Sequence, residues 1–257
     1  MAGNGNGRVR PKVAFFDFSS CEGCQLTVVD SLQTHLDLLD AVEIVNFREA
    51  ISDRGQDYAI AFVEGSLTRE SDVLRLQQIR QQADIVVALG ACAHLGGVNA
   101  IKNDFPLEDV RKIVYGNKAG WYDTDPTRPI GEVITVDAVL PGCPIDREEF
   151  IRFVKQLLQG RLPALPEDPV CVECRLKENA CVWTLGQVCL GPITLAGCDA
   201  ICPTYGDGCE GCRGMISNPN LDALRQVMLE HGVDAEAIES KLTMFMTNQM
   251  MAMEKAQ

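Results

Sequence analysis

The stretch KVAFFDFSSCEGC, residues 12–24, decides the architecture. Residues 12–19 form an apolar run of the kind a strand shows when helices cover both of its faces. A C-x2-C pair, Cys21 and Cys24, follows at once. The same grammar returns downstream. Residues 84–89 (DIVVAL) are another such run, and Cys92 stands just beyond it. Residues 42–46 and 58–63 (YAIAFV) are further strand candidates. Residues 132–139 are one more, with Cys143 past its end.

Helical spacing separates these runs. Residues 25–39 would turn Leu26, Val29, Leu32 and Leu39 inward. Residues 71–82 would do the same with Val73, Leu74, Leu76 and Ile79, and residues 146–159 with Phe150, Phe153 and Leu157. Strands alternating with helices imply a parallel sheet with right-handed crossovers. The fold class is therefore α/β, a flavodoxin-like doubly wound parallel sheet. Such sheets bind ligands outside the carboxyl ends of their strands. Cys21, Cys24, Cys92 and Cys143 are thus expected to converge on one edge, although they are far apart in sequence.

Near Gly160 the character changes. Residues 161–169 (RLPALPEDP) hold three prolines and read as a linker, dividing the chain into domains 1–162 and 163–257. Residues 170–220 show little periodicity but carry Cys171, Cys174, Cys181, Cys189, Cys198, Cys202, Cys209 and Cys212. Such a segment cannot build a conventional core, so bound cofactors are expected to organise it. The expectation is an irregular cluster-binding domain ending in helices over residues 221–257, broken near Gly232. Met244, Met246, Met250, Met251 and Met253 there suit adaptable packing.

The chain has 257 residues and a net charge of −13. That balance argues against nucleic acid, which demands clustered Lys and Arg. No stretch approaches the roughly 20 apolar residues of a membrane span. Residues 1–10 lack an apolar signal core and a twin-arginine pair. A cytoplasmic location is expected, where cysteine patterns favour metal or redox chemistry over disulfides.

The chain contains 12 cysteines. A 4Fe–4S cluster takes four thiolates, so they could hold three clusters. The first set reads C-x2-C-x67-C-x50-C. A lone C-x2-C also serves zinc or a redox pair. Here the loops read CEGC, GACA and PGCP. Gly23, Gly90 and Gly142 admit a bulky inorganic core, and Pro141 and Pro144 stiffen the last loop. The second stretch reads C-x2-C-x6-C-x7-C, then C-x3-C-P-x5-C-x2-C. Zinc favours paired C-x2-C knuckles, which only the first and last pairs provide. Iron–sulfur is the preferred reading, and a zinc-holding structural protein is the competing class.

His35 reads as an ordinary helical residue and His231 as a helix-end residue. His94, close to Cys92, could tune a cluster or make a structural hydrogen bond. Glu22 and Glu64, in strand-end loops, could carry protons or simply be solvated. No Ser/His/Asp set, P-loop or GxGxxG is present, so the chain offers no organic catalytic apparatus of its own.

Four motifs bring a resemblance: SSCEGCQLTVVDS (residues 19–31), FVEGSLT (62–68), ALGACAHLGG (88–97) and PGCPID (141–146). With them the chain resembles, over nearly its whole length, the small electron-transferring subunit of NiFe hydrogenases. CEGCQL, PVCVECRLKENACV and CDAICPTYGDGCEGCRG look most like the cytoplasmic NAD(P)-linked and sulfhydrogenase types, with F420-related enzymes as near neighbours. The related subunit of respiratory complex I has adjacent cysteines in its first motif, unlike Cys21 and Cys24.

The resemblance implies a proximal 4Fe–4S cluster on Cys21, Cys24, Cys92 and Cys143, beside a Ni–Fe centre in a separate large subunit. It implies a distal cluster on Cys171, Cys174, Cys181 and Cys189, with Cys171 replacing the histidine of exported members. A medial cluster would use Cys198, Cys202, Cys209 and Cys212. An interleaved partition, pairing Cys171 and Cys174 with Cys209 and Cys212, stays open. The implied partners are the NiFe hydrogenase large subunit and flavin/Fe–S electron-transfer subunits serving NAD(P). A relay feeding an F420 or heterodisulfide-reductase partner is the alternative.

Overall fold

Five strands make one sheet in the order β2-β1-β3-β4-β5: β1 (Lys12–Asp17), β2 (Glu43–Asn46), β3 (Ile60–Glu64), β4 (Ile85–Leu89) and β5 (Ala138–Leu140). Every neighbouring pair is parallel. This is the flavodoxin-like strand order. The structure is a computed structural model and describes residues 10–256. The expectations for residues 1–9 and for Gln257 lie outside the described residues.

Side chains alternate across the strands and build two cores. Val13, Phe15, Ile60, Phe62, Val87, Leu89 and Leu140 face one side. They pack there against α1 (Gly23–Thr34), α2 (Leu36–Ala41) and α6 (Arg147–Leu158). Ala14, Phe16, Ala61, Val63, Val86 and Ala88 face the other, under α3 (Glu70–Gln82). On the first side Phe15 stacks on Phe47 at 4.3 Å and on Phe62 at 4.9 Å. The crossover from β4 to β5 is longer. It runs through α4 (Gly90–Leu95) and α5 (Leu107–Tyr115), with 3-10 turns between and after them.

The remainder comprises α7 (Val170–Leu176), α8 (Ile201–Thr204), α9 (Leu221–Glu230) and α10 (Ala235–Ala256). The break between α9 and α10 falls where Gly232 suggested. The irregular stretch is not coreless. Leu190, Ile193 and Met215 join Leu224, Met228, Leu242, Phe245, Met246 and Met250 in a buried cluster that also reaches Ala91. Met246 and Met250 thus pack inside, as adaptable side chains do. Asn248 of α10 donates to the Leu95 carbonyl at 3.0 Å and accepts from Asn103 at 2.9 Å. The last helix therefore docks on the crossover that carries Cys92.

Several local expectations are corrected. Residues 25–39 are two helices, and His35 is the junction, at φ −126° and ψ 63°. The inward face of α1 is Cys24, Gln25, Val28 and Ser31, so Leu26 is 54% exposed and Leu39 is exposed too. Leu74 is 59% exposed, because α3 presents Val73, Leu76 and Ile79 to the sheet. The last strand covers only residues 138–140. A 3-10 turn at Ile130–Glu132 precedes it, and Pro141, lacking an N–H, follows it.

Candidate functional site

Each thiol of the first set is placed by a strand end. Cys21 and Cys24 follow β1, with Cys24 buried in the first turn of α1. Cys92 lies in α4, directly after β4. Cys143 lies in the loop after β5, and the Ala91 N–H ties the two loops by donating to the Gly142 carbonyl at 2.8 Å. The expected convergence is therefore present. Burial, then the neighbouring Cys143 and Cys21 thiols, push Cys92 up to about 12. Burial, then Glu64, push Cys24 up as well.

Three glycines let the backbone come close to the sulfurs of Cys21, Cys24 and Cys92. A Cβ on Gly90 would collide with the Cys24 Sγ, and Gly90 has φ +81°, a conformation that side chains rarely adopt. A Cβ on Gly97, at φ +56°, would stand 3.0 Å from the Cys92 Sγ. One on Gly23 would stand 3.3 Å from the Cys21 Sγ. Cys21 and Cys143 are exposed at the rim. The four-thiol donor set and this cradle fit an iron–sulfur group.

Two residues around this set carry more than the sequence disclosed. Glu64, the last residue of β3, is 2% exposed, not solvated. Its carboxylate accepts from the N–H of Cys24 at 3.1 Å and of Gln25 at 3.0 Å. Burial raises its pKa while those bonds oppose the rise. Asn99 donates to the Ser19 carbonyl at 2.8 Å and lies 3.9 Å from the Cys92 Sγ. Nothing in the sequence singled Asn99 out; its place in a 3-10 turn has no periodic signature. Glu22 is the residue before α1, at φ 63°. Burial and Glu49 beside it raise its pKa.

The other eight thiols form two neighbourhoods. Helix α7 carries Cys171 and Cys174 one turn apart. Burial, then Cys189, Cys174 and Cys181 beside it, push Cys171 up to about 11. Cys189 accepts from the N–H of Gly191 at 3.4 Å and of Cys209 at 3.2 Å. Cys212 lies with Cys198 and Cys202 and also beside Cys143. Burial, then those thiols, push it up to about 12 against a hydrogen bond from the Cys143 backbone. Cys209 stands between the neighbourhoods, influenced by both Cys189 and Cys212. A cleft of about 900 Å3 is lined by Cys143, Cys198, Cys202, Cys209 and Cys212. His94 is held down to about 4 by burial and by Arg213. His231 ends α9, as expected, and packs on Trp183 at 4.8 Å.

The fold is shared with known proteins. The profile of the family described as NADH ubiquinone oxidoreductase, 20 Kd subunit, matches residues 21–157. The chain belongs to this family. Within it the chain is of the NiFe hydrogenase small-subunit type. It is 34% identical over 236 residues to sulfhydrogenase 2 subunit delta of Pyrococcus furiosus, covering 91% of this chain and 98% of that one. It is 31% identical to a component of the F420-non-reducing hydrogenase vhu of Methanococcus voltae, covering 79% and 82%. Among solved structures it resembles an NAD+-reducing NiFe hydrogenase in the H2-reduced state. That match has a TM-score of 0.54 and 27% identity, over 62% of this chain and 96% of that chain.

Proposed function

We propose that the chain is the electron-relay small subunit of a soluble, cytoplasmic NiFe hydrogenase. It would pass electrons between the Ni–Fe site of a large subunit and a flavin/Fe–S partner serving NAD(P). The observation that carries this reading is the meeting of Cys21, Cys24, Cys92 and Cys143 at one sheet edge, with Gly23, Gly90 and Gly97 where a Cβ would crowd the sulfurs of Cys21, Cys24 and Cys92. No described helix is long and apolar enough to cross a membrane.

Bound 4Fe–4S clusters would supply one-electron carriers in the order proximal, medial, distal. The chain's own residues do the rest. Cys21, Cys24, Cys92 and Cys143 hold the proximal group in residues 1–162. Residues 163–257 hold the medial group with Cys198, Cys202, Cys209 and Cys212, and the distal group with Cys171, Cys174, Cys181 and Cys189. The grouping of Cys171 with Cys174, Cys181 and Cys189 supports this partition over the interleaved one. The approach of Cys212 to Cys143 supports the order. Backbone N–H groups at Gly191 and Cys209 bond the Cys189 sulfur, a recognised means of tuning a potential.

A second reading concerns the acceptor. A component of a coenzyme F420 hydrogenase of Methanococcus voltae is also similar, at 26% identity over 84% of this chain. A relay feeding an F420 or heterodisulfide-reductase partner is the alternative. Anaerobic purification with partner identification and metal analysis tests both. About twelve irons per chain are expected from four per cluster. Stoichiometric zinc without iron would sink the relay, and the co-purifying subunits would name the acceptor.

A further inference from the structure

The loop of Cys143 and the loops of Cys198 and Cys212 meet at one buried cation. Arg213, next in sequence to Cys212, is 1% exposed. Its Nε donates to the carbonyls of Leu195 at 3.0 Å and Ala196 at 2.9 Å, just ahead of Cys198. One terminal nitrogen donates to the Pro141 carbonyl at 3.0 Å, two residues before Cys143, and to Glu149 at 2.6 Å. The other donates to the second Glu149 oxygen at 2.8 Å. Glu149 belongs to α6, which packs on the sheet. Gly197 leaves the space: a Cβ there would strike Arg213 and lie 2.6 Å from the Glu149 Oε1.

A buried ion pair is weak evidence of stability, since desolvation offsets much of the attraction and apolar replacements often serve as well. The carbonyl contacts are what set this one apart. A planar guanidinium offers five donors in a fixed fork, against three rotatable ones on an ammonium, and so can bond both carboxylate oxygens and several carbonyls in one defined geometry. Here the fork spans the seam between the first and second thiol sets. The charge also reaches the second set: Arg213 lines the same cleft as Cys143, Cys198, Cys202, Cys209 and Cys212.

We propose that Arg213 is a positioning residue that locks the Cys143 loop against the Cys198 and Cys212 loops, fixing the spacing of the first two clusters, and that its cation raises the potential of the second. The proposal rests on the relay reading above. A fixed positive charge in a water-excluded seam favours an added electron more than the same charge in water.

The test uses the anaerobically purified complex carrying Arg213→Gln, Arg213→Lys or Glu149→Gln, followed by paramagnetic resonance during redox titration. Arg213→Gln should lower the equilibrium constant for reducing the second cluster at least tenfold, about 59 mV for one electron. It should also blur the spin–spin splitting between the first two clusters. Arg213→Lys should restore the potential but not the splitting. Glu149→Gln, which keeps the cation and removes its counter-charge, should shift the potential upward. Full iron with wild-type potential and splitting in Arg213→Gln overturns the proposal. If that variant does not fold, an unshifted potential in Glu149→Gln overturns it. A wild-type complex without iron overturns the relay reading and this proposal together, a result distinct from the first two.

Discussion

The carboxylate of Glu64 accepts the Cys24 N–H at 3.1 Å, and its second oxygen accepts the Gln25 N–H at 3.0 Å. The first N–H groups of a helix have no partner within it. The residue before α1, Glu22, makes no side-chain cap bond. The end of β3 supplies the missing acceptor instead, and so fixes the turn that carries Cys24. An anion at that end also complements the helix dipole.

Glu64→Ala should therefore destabilise the protein. Each buried N–H left unpaired costs about 1–3 kcal/mol. Glu64→Gln keeps one acceptor and should fall between. Thermal unfolding followed by circular dichroism under anaerobic conditions measures this, and an unchanged midpoint in Glu64→Ala would refute the role.

The partition of the eight later cysteines can be read from iron alone. Cys171→Ser with Cys181→Ser strikes one cluster in the sequential partition and both in the interleaved one. The double variant should lose about four irons per chain rather than eight, by the four-per-cluster count. A loss of eight would favour the interleaved pairing.

In the proposed relay, replacing Cys92 removes a proximal ligand. Cys92→Ala should abolish hydrogen-dependent reduction of the acceptor and lower the iron content. Full activity with intact iron would show that Cys92 is not a ligand.

Glycine substitutions should sort by what a Cβ would touch. Gly90→Ala puts a methyl into the Cys24 Sγ at a positive φ, and should cost the proximal cluster. Gly23→Ala meets the Cys21 Sγ at 3.3 Å and has no positive φ, so its effect should be milder. Gly120→Ala meets nothing within 4 Å and should be silent. Iron content and resonance signals of the three variants check the ranking.

Cluster loading should release protons and strengthen with pH. The ligand is the thiolate, and burial holds the free Cys92 and Cys212 thiols up to about 12 and Cys171 up to about 11. Below those values each must lose a proton on ligation, so affinity rises as pH rises through the neutral range. Reconstitution at pH 6.5 and 8.5, with proton release measured in weak buffer, tests the sign. A yield indifferent to pH would contradict it.

Much of the site was legible because strand-end chemistry is local. The run before Cys21 and the run before Cys92 each announced a buried parallel strand, and the parallel sheet aligned their ends. The errors fell where periodicity is weak. Residues 25–39 contain no Gly or Pro, so nothing announced the break at His35. Leu26 and Leu74 suit a core by type, yet the helix registers set by Cys24 and by Val73 turned them outward. The last strand was overextended because Val133, Ile134 and Val136 are apolar yet precede the residues, 138–140, that pair.

Hydrophobic period and residue type, both properties of neighbours in the chain, already specify the sheet, its carboxyl-edge cysteines and the division into a periodic and an irregular part. Other relationships exist only in the folded chain. Glu64 is buried against Cys24, α10 returns to the Cys92 crossover, and Arg213 ties Pro141, Leu195, Ala196 and Glu149 together. Those groups are remote in sequence. Their meeting depends on how packed elements bring unpaired donors and acceptors together, and no local pattern encodes that.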